Sequence, residues 1–338
     1  MNDNNNNEKS FTTIPEYQGT VYRYLSFTDK DLEDLEYLAD VVEAKPIGEA
    51  KSAIEAAKPT AKAYLDIVGH KKDHRLAYLL KQKKLFRSTP SSFNDPYDCK
   101  VKVSPNASDR NILNLFRFYA ENQDYDRIHW GDFEFEVGPL DQGVIKNYQK
   151  ETTTSIQTVK HRAAIVRLIE RTIQKYVDHQ VRLICFSKTA ESMLMWSHYS
   201  DSHTGYCLEF NTQEMADAQR IGFYEIRYNS RNLRPLISLS RRTIEKYEMS
   251  VNVLLVKSVH WKYEEEVRLI RPGIEHYFPF KPRALNRIIV GERMDRRLQS
   301  GLHLLLATLS EDNCFKHVAI VNAKLDEKQF NVNIPQPT

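Results

Sequence analysis

The sequence predicts an α+β domain around a mixed, largely antiparallel sheet with flanking helices, on three observations. Short apolar runs of strand length, RLICFS, GYCLEF, FYEIRY, EEEVRLI, RIIVG and HVAIVNAKL, are separated by helical stretches of irregular length. No segment repeats another. No Gly-rich phosphate loop is present, neither G-x-G-x-x-G after a strand nor G-x-x-x-x-G-K-S/T, which disfavours a doubly wound dinucleotide fold.

The elements follow in order. Residues 1–16 carry an asparagine run with nothing to bury and read as a disordered tail. Val21 to Phe27 is the first strand. From Asp29 to about Gly69 the composition turns to Ala, Glu and Lys at helical spacing, broken near Pro46 and Pro59. Two helices are therefore expected as an insertion, about 30–70, in a single domain of residues 17–330. A third helix covers about His74 to Lys84. In KKLFRSTPSSFNDPYDC, Pro96 biases Asp95 away from the helical region, so Phe93, Asn94, Asp95 and Asp98 sit on a fixed corner with a structural or substrate-facing role.

Helices are expected again over 109–119 and about 153–177. In the second, Ile156, Val159, Ala163, Val166, Ile169, Ile173 and Val177 form one apolar stripe. RLICFS is a strand, SMLMWSHY a helix, and GYCLEF and FYEIRY strands. A long helix from about Ser238 to Lys257 leads into EEEVRLI and RIIVG. A helix over Leu298 to Leu309, the strand HVAIVNAKL and a tail at 331–338 complete the chain.

Composition sets bounds on partners and compartment. Hydrophobic residues make up 41% and charged residues 28%, and no apolar run approaches the roughly 20 residues needed to cross a bilayer, so no membrane association is expected. MNDNNNNEKS has no basic segment followed by an apolar one, which argues against a secretory signal and for the cytoplasm. The four cysteines lack C-x-x-C spacing and read as small buried hydrophobes in a reducing compartment. A net charge of +3 names no partner, although GHKKDHRLAYLLKQKK is locally basic. That run suits a solvated helix face or a polyanion site.

Polar residues inside apolar strands mark candidate sites. Arg23 in VYRYLSF shares a strand face with Val21 and Leu25, while Tyr22 and Tyr24 take the other. Its planar fork suits a phosphate or carboxylate, or a local acid on an edge strand. Ser187 closes RLICF just before a helix beginning near Glu191 or Ser192, where it either orients a ligand or caps the turn. No G-x-S-x-G surrounds it. Strand alternation in WKYEEEVRLI puts Glu264, Glu266 and Arg268 on one face and Glu265, Val267 and Leu269 on the other. The two carboxylates are then about 7 Å apart at the backbone, close enough to split their protonation. Such a pair stabilises a developing cation, or is a solvated acidic run. Met195, Trp196 and Tyr199 cover the sheet as packing or ligand wall, and His198, Asp201 and His203 are a weak metal candidate because the histidines share no helix face.

At FNDPYDC, MWSHYSDSHTGYCLEF and WKYEEEVRLI the chain resembles the bacterial family called domain of unknown function 2971. The matching residues are Tyr22 and Arg23; Pro90, Phe93, Asn94, Asp95, Pro96 and Asp98; Cys185 to Ser187 with Trp196 to Tyr199; and Trp261, Tyr263, Glu264, Glu266 and Arg268. The resemblance spans about residues 20–325. Val267 replaces the more usual aromatic.

That family implies no activity. The order Arg, strand-ending Ser, Glu-x-Glu is in turn similar to the Arg-Ser-Glu signature of ADP-ribosyltransferases, whose split sheet binds NAD. That likeness implies that Arg23 holds the dinucleotide phosphates and Ser187 positions the nicotinamide ribose, with Tyr22, Trp196, His198 and Tyr199 as further cofactor-binding candidates. Glu266 would stabilise the oxocarbenium-like ribose and Glu264 orient the acceptor. Lys188 and Thr189 stand where the signature usually has Thr-Ser. The expected function is an NAD-dependent ADP-ribosyltransferase-like enzyme, an intracellular toxin or phage-defence effector. A protein or nucleic-acid acceptor and an antitoxin or defence-system partner are implied. The alternatives are a non-enzymatic nucleotide- or peptide-sensing module and a metal-dependent nuclease using His198, Asp201, His203 and Glu209.

Overall fold

Aromatic and β-branched residues fall on both faces of TVYRYL, which suits a strand covered on both sides, and β1 (Thr20–Leu25) is the central strand of a seven-stranded sheet. The structure, a computed structural model, describes residues 16–44, 50–114, 127–130, 133–136, 159–215, 222–229, 236, 252–311 and 314–336. The sheet order is β13 (Ala319–Asn322), β12 (Leu285–Val290), β6 (Tyr206–Asn211), β1, β5 (Val181–Ser187), β10 (Glu266–Pro272) and β7 (Gly222–Glu225). All neighbours are antiparallel except β12 and β13, so the sheet is mixed and mostly antiparallel as expected.

One junction differs from the rest. β1 and β5 share a single register pair, Tyr22 with Ser187, whereas Tyr22 to Leu25 pair continuously with β6 and Glu266 to Pro272 continuously with β5. The sheet is therefore parted between β1 and β5 over the residues that precede Ser187, where Leu183 bridges to Ser88 and not to β1.

Helices cover both faces. On one, α1 (Asp29–Glu43), α2 (Ala50–Val68), α3 (Arg75–Gln82) and α8 (Arg296–Leu309) bury Leu35, Leu38, Ala57, Ala61, Leu65, Leu80 and Leu302 against Val21, Ile184, Leu208 and Val267 of the sheet. Thr28 caps α1 through a reciprocal capping box with Asp31. Asp34 accepts from the Tyr64 hydroxyl at 2.6 Å and faces His74 Nδ1 at 2.8 Å, and Asp31 accepts from Leu76 N–H at 2.7 Å, tying α1 to α2 and α3. The helices expected as an insertion thus share the main core. α2 runs through Pro59, where the sequence predicts a break. Ala57, Ala61 and Leu65 are all buried, and that packing outweighs the hydrogen bond that proline cannot donate.

On the other face, α4 (Val159–Gln180) buries Ile165, Ile169, Ile173 and Val177 against Leu183, Tyr224 and Ile270. α5 (Met193–Tyr199) covers the sheet beside β1, with Trp196 fully buried edge-on to Tyr24. A short α6 (Thr212–Met215) follows β6.

Several expected elements are shorter than the sequence predicts. The helix expected to reach Lys257 ends earlier: α7 (Asn252–Leu255) gives way to β9 (Val256–Ser258), which pairs in parallel with β8 (Arg227–Asn229). WKYEEEVRLI is not a continuous strand, because residues 259–264 form a 3₁₀ turn and β10 begins at Glu266. HVAIVNAKL divides into β13 and β14 (Lys324–Leu325), and β14 pairs with β15 (Val332–Asn333), where Val332 is buried in a stretch expected as tail. β2 (Lys84–Phe86) pairs with β11 (Tyr277–Pro279), and β3 (Arg127–Trp130) with β4 (Phe133–Glu136). Residues 109–114 are helical. Expectations at residues 1–15, Pro46, 115–119, 153–158 and 238–251 lie outside the described residues. No helix among the described residues is long and apolar enough to cross a membrane.

Candidate functional site

The parting of β1 from β5 opens a cavity of about 340 Å³. Tyr22, Arg23 and Tyr24 line it from β1, and Cys185, Phe186 and Ser187 from β5. Because residues of both strand faces reach the gap, Arg23, whose side chain points away from Tyr22 and Tyr24, still meets Ser187 there. The FNDPYDC corner contributes Phe93, Asn94 and Asp98, α5 contributes Met195 and Tyr199, and the other wall is Lys257, Glu264 and Glu266.

The acidic wall is a buried ionic network. Lys257 Nζ donates to Glu264 at 2.6 Å and to Glu266 at 3.2 Å, and lies 3.5 Å from Asp98. Arg268 holds Glu266 with Nε at 2.6 Å and Nη2 at 3.1 Å. It also reaches Asp98 with Nη2 at 2.6 Å, and donates through Nη1 to the Leu254 carbonyl and the Cys99 sulfur. Its guanidinium lies over the Phe93 ring, 5.2 Å from the centroid. All five charged groups are buried. Removing one partner of such a network leaves an uncompensated buried charge, at a cost of about 3–5 kcal/mol.

The two glutamates are driven apart. Burial pushes the Glu264 carboxyl up, and Glu266 adds to that push, against the lowering effect of Lys257 and of a 2.6 Å hydrogen bond donated by Tyr199. Burial also works on Glu266, but Arg268 and Lys257 outweigh it and hold its carboxyl well below the usual carboxylate range. Asn94 hydrogen-bonds Tyr199, so FNDPYDC supports both acids, through Asp98 and through Asn94. The Glu266 backbone N–H donates to the Tyr228 hydroxyl at 2.8 Å, anchoring the start of β10 on β8.

Across the cavity Arg23 donates through Nη2 to the Phe86 carbonyl at 3.2 Å, with its guanidinium 6.0 Å from the Phe186 ring centre. Its Nη1 is buried without a hydrogen-bond partner. Burial lowers its pKa to about 10, and the group remains a cation at neutral pH. Ser187 is fully buried, and its hydroxyl oxygen accepts from Thr189 N–H at 3.2 Å, so it caps its own turn while lining the cavity.

Of the residues singled out from the sequence, Arg23, Ser187, Tyr22, Tyr199, Glu264, Glu266, Phe93, Asn94 and Asp98 come together here. Three do not. Trp196 lies beneath the site, its indole N–H donating to the Ala190 carbonyl at 2.7 Å. His198 is outside, paired with the Tyr263 hydroxyl at 3.1 Å. Asp95 shapes the corner by accepting from Tyr97 N–H at 2.8 Å. Glu264 arrives from the 3₁₀ turn and not from a strand face, because Glu265 adopts a left-handed conformation between the two acids. Sequence reasoning missed Lys257, whose signal was a single cation closing the apolar run VNVLLV. It also missed Tyr228.

Among the described residues no group of three or more His, Cys, Asp or Glu side chains is arranged to hold a metal ion. His203 stacks on Trp196 and Glu209 is paired with Arg287, so the residues of the nuclease alternative are engaged separately. No curated protein and no solved structure matches the chain. The model of the family described as a protein of unknown function (DUF2971) matches residues 195–269, which include most of α5, all of β6, Lys257 and the acidic pair, and over that stretch the chain is similar to this family.

Proposed function

We propose that this chain is an ADP-ribosyltransferase-like enzyme that takes NAD as substrate and passes its ADP-ribosyl group to a macromolecular acceptor. The observation that carries the reading is the meeting of Arg23, Ser187, Glu264 and Glu266 around one cavity at the parting of β1 and β5. Its volume falls in the range of small-molecule sites, about 300–1,000 Å³. The unpaired buried N–H of Arg23 is a fitting donor for a phosphate oxygen. Ser187, already accepting from Thr189, turns its own proton to a ribose hydroxyl.

In the reaction the bond between nicotinamide and ribose C1′ breaks and its electron pair leaves with nicotinamide. A lone pair of the acceptor forms the new bond to C1′, and the acceptor's proton goes to a base. Glu266, kept ionised by Arg268 and Lys257, places fixed negative charge beside the sugar cation. Glu264, with its carboxyl pushed up by burial, takes the proton. Two carboxylates with opposed pKa shifts suit these separate roles.

Incubation with NAD labelled in the nicotinamide ring tests this. Release of nicotinamide is expected, with a loss of about 10²-fold or more in Glu266→Gln. Unchanged release by that variant, or no NAD binding by the wild type, overturns the reading. One observation favours a sensing module in its place: both carboxylates already have cationic partners. Equal nucleotide binding by wild type and Glu266→Gln, with no release from either, would select it.

A further inference from the structure

We infer that the surface formed by Phe86, His276, Tyr277, Tyr78, Lys72 and Arg75 binds a single-stranded nucleic acid and presents it to the cavity as acceptor; the acceptor role rests on the enzymatic reading above, and the binding does not. Phe86, 45% exposed, stacks on exposed His276 with ring centres 5.6 Å apart and planes 8° from parallel. Tyr277 meets Phe86 edge-on at 5.7 Å, and Tyr78 of α3 lies 5.2 Å beyond it. Rings from α3, β2, β11 and the residue before β11 thus form one aromatic platform, with Phe86 and His276 exposed and Tyr78 and Tyr277 half-buried. Such exposed apolar clusters mark interaction surfaces.

The charge around the platform identifies the partner. Lys72 sets its ammonium 5.0 Å over the Tyr277 ring. Arg75 is exposed at the start of α3, near enough to both Tyr277 and Arg23 for its charge to act on each. The run Gly69 to Lys84 carries Lys71, Lys72, Arg75, Lys81, Lys83 and Lys84 against one acid, Asp73, and among the described residues only Lys81 of these has a salt-bridge partner, Asp66, outside the run. Protein interfaces are depleted in lysine, whereas a basic track beside exposed rings suits phosphates and unstacked bases. Only unpaired bases offer their faces to such rings, so the strand is single.

The path into the site is short. The Phe86 carbonyl accepts from Arg23, and Ser88, two residues on, lines the cavity. A base stacked on Phe86 is therefore a neighbour of the residues assigned to NAD.

Labelled single-stranded RNA and DNA of about 16 nucleotides, titrated with the full chain in the absence of NAD and followed by fluorescence anisotropy, test the binding. Affinity should fall steeply with salt, and a duplex should bind more weakly. Phe86→Ala and His276→Ala should each weaken binding roughly tenfold. Lys72→Glu should lower the slope of log affinity against log salt by about one. Circular dichroism checks that these surface variants fold. No binding, equal binding of duplex, heparin or an acidic peptide, or unchanged affinity in both ring variants overturns the inference.

Nicotinamide release without oligonucleotide separates the two claims. His276→Ala and Lys72→Glu should retain it while losing transfer of label to the strand. Oligonucleotide binding with no nicotinamide release under any condition keeps the surface and sinks the enzymatic reading. Release with no oligonucleotide binding does the reverse.

Discussion

Glu264 and Glu266 share Lys257, yet only Glu266 is also clasped by Arg268, and that difference divides their chemistry. Tyr199 is the one hydroxyl donating to Glu264 among the described residues, and the bond favours the carboxylate. Tyr199→Phe removes it, so the Glu264 carboxyl rises further. As the proposed base, Glu264 acts only when ionised, and the acid limb of the rate profile must move to higher pH. A hydrogen bond to a charged group is worth about 1.5–3 kcal/mol, and a pKa unit about 1.4 kcal/mol, so the move should be roughly one to two pH units. The measurement is kcat/KM for nicotinamide release against pH; a limb that stays in place, or moves to lower pH, removes Glu264 from the role. At this scale the sequence was informative where a polar residue interrupts an apolar run, as Arg23, Ser187 and Glu266 do. Lys257 followed the same rule at the end of VNVLLV but was absorbed into a helix expected to continue, and a helix end with no Gly or Pro gives no local warning. Nothing local marks Tyr228, whose hydroxyl matters only because β8 lies beside β9 and beneath the start of β10.

The corner between β9 and β10 is the element that builds the acidic wall. Ser258 caps the 3₁₀ turn, Glu265 closes it at φ 42° with its N–H on the Lys262 carbonyl, and its own carbonyl accepts from Lys188 N–H at 3.0 Å. That left-handed residue lets acids two positions apart both reach Lys257 although only one belongs to a strand. The conformation costs an ordinary residue about 1–2 kcal/mol, and more for a β-branched one. Glu265 itself is exposed, so its side chain can be changed without touching the network. Glu265→Val is expected to destabilise by about 1–2 kcal/mol, whereas Glu265→Gly should be within about 0.5 kcal/mol of wild type, because relief of strain offsets glycine's added unfolded-state freedom. Urea unfolding of the two variants checks it, and an equal loss in both would show that the corner does not depend on the positive φ. The sequence reads as an uninterrupted strand here because no Gly, Asn or Asp stands at position 265, the residues that ordinarily announce a left-handed turn.

For the whole molecule, the local pattern foretold most strands, the helix stripes and the mostly antiparallel sheet, but not which strands lie side by side. The order β6-β1-β5-β10 brings residues 23, 187 and 266 together, and it is fixed by long-range packing of two helical layers. In the layer of α1, α2, α3 and α8, α1 crosses α8 where Gly301 lies against the Leu35 backbone so closely that a Cβ would stand 2.1 Å from the Leu35 carbonyl oxygen. Leu35 and Leu302 are fully buried on either side, and α1 leads directly out of β1, which carries Arg23. A methyl group at this position must therefore push α1 and α8 apart across the core that seats the central strand. Alanine improves intrinsic helix propensity by about 1 kcal/mol, whereas overpacking a filled interior costs about 1–3 kcal/mol, more where the obstacle is backbone. Gly301→Ala is thus expected to lower stability by about 1–2 kcal/mol despite the better helix former. Calorimetric unfolding of Gly301→Ala against wild type decides the matter: a melting temperature equal to or above wild type would mean that α1 and α8 have room to separate, and that the close crossing is not what sets β1 in its place beside the parted strand.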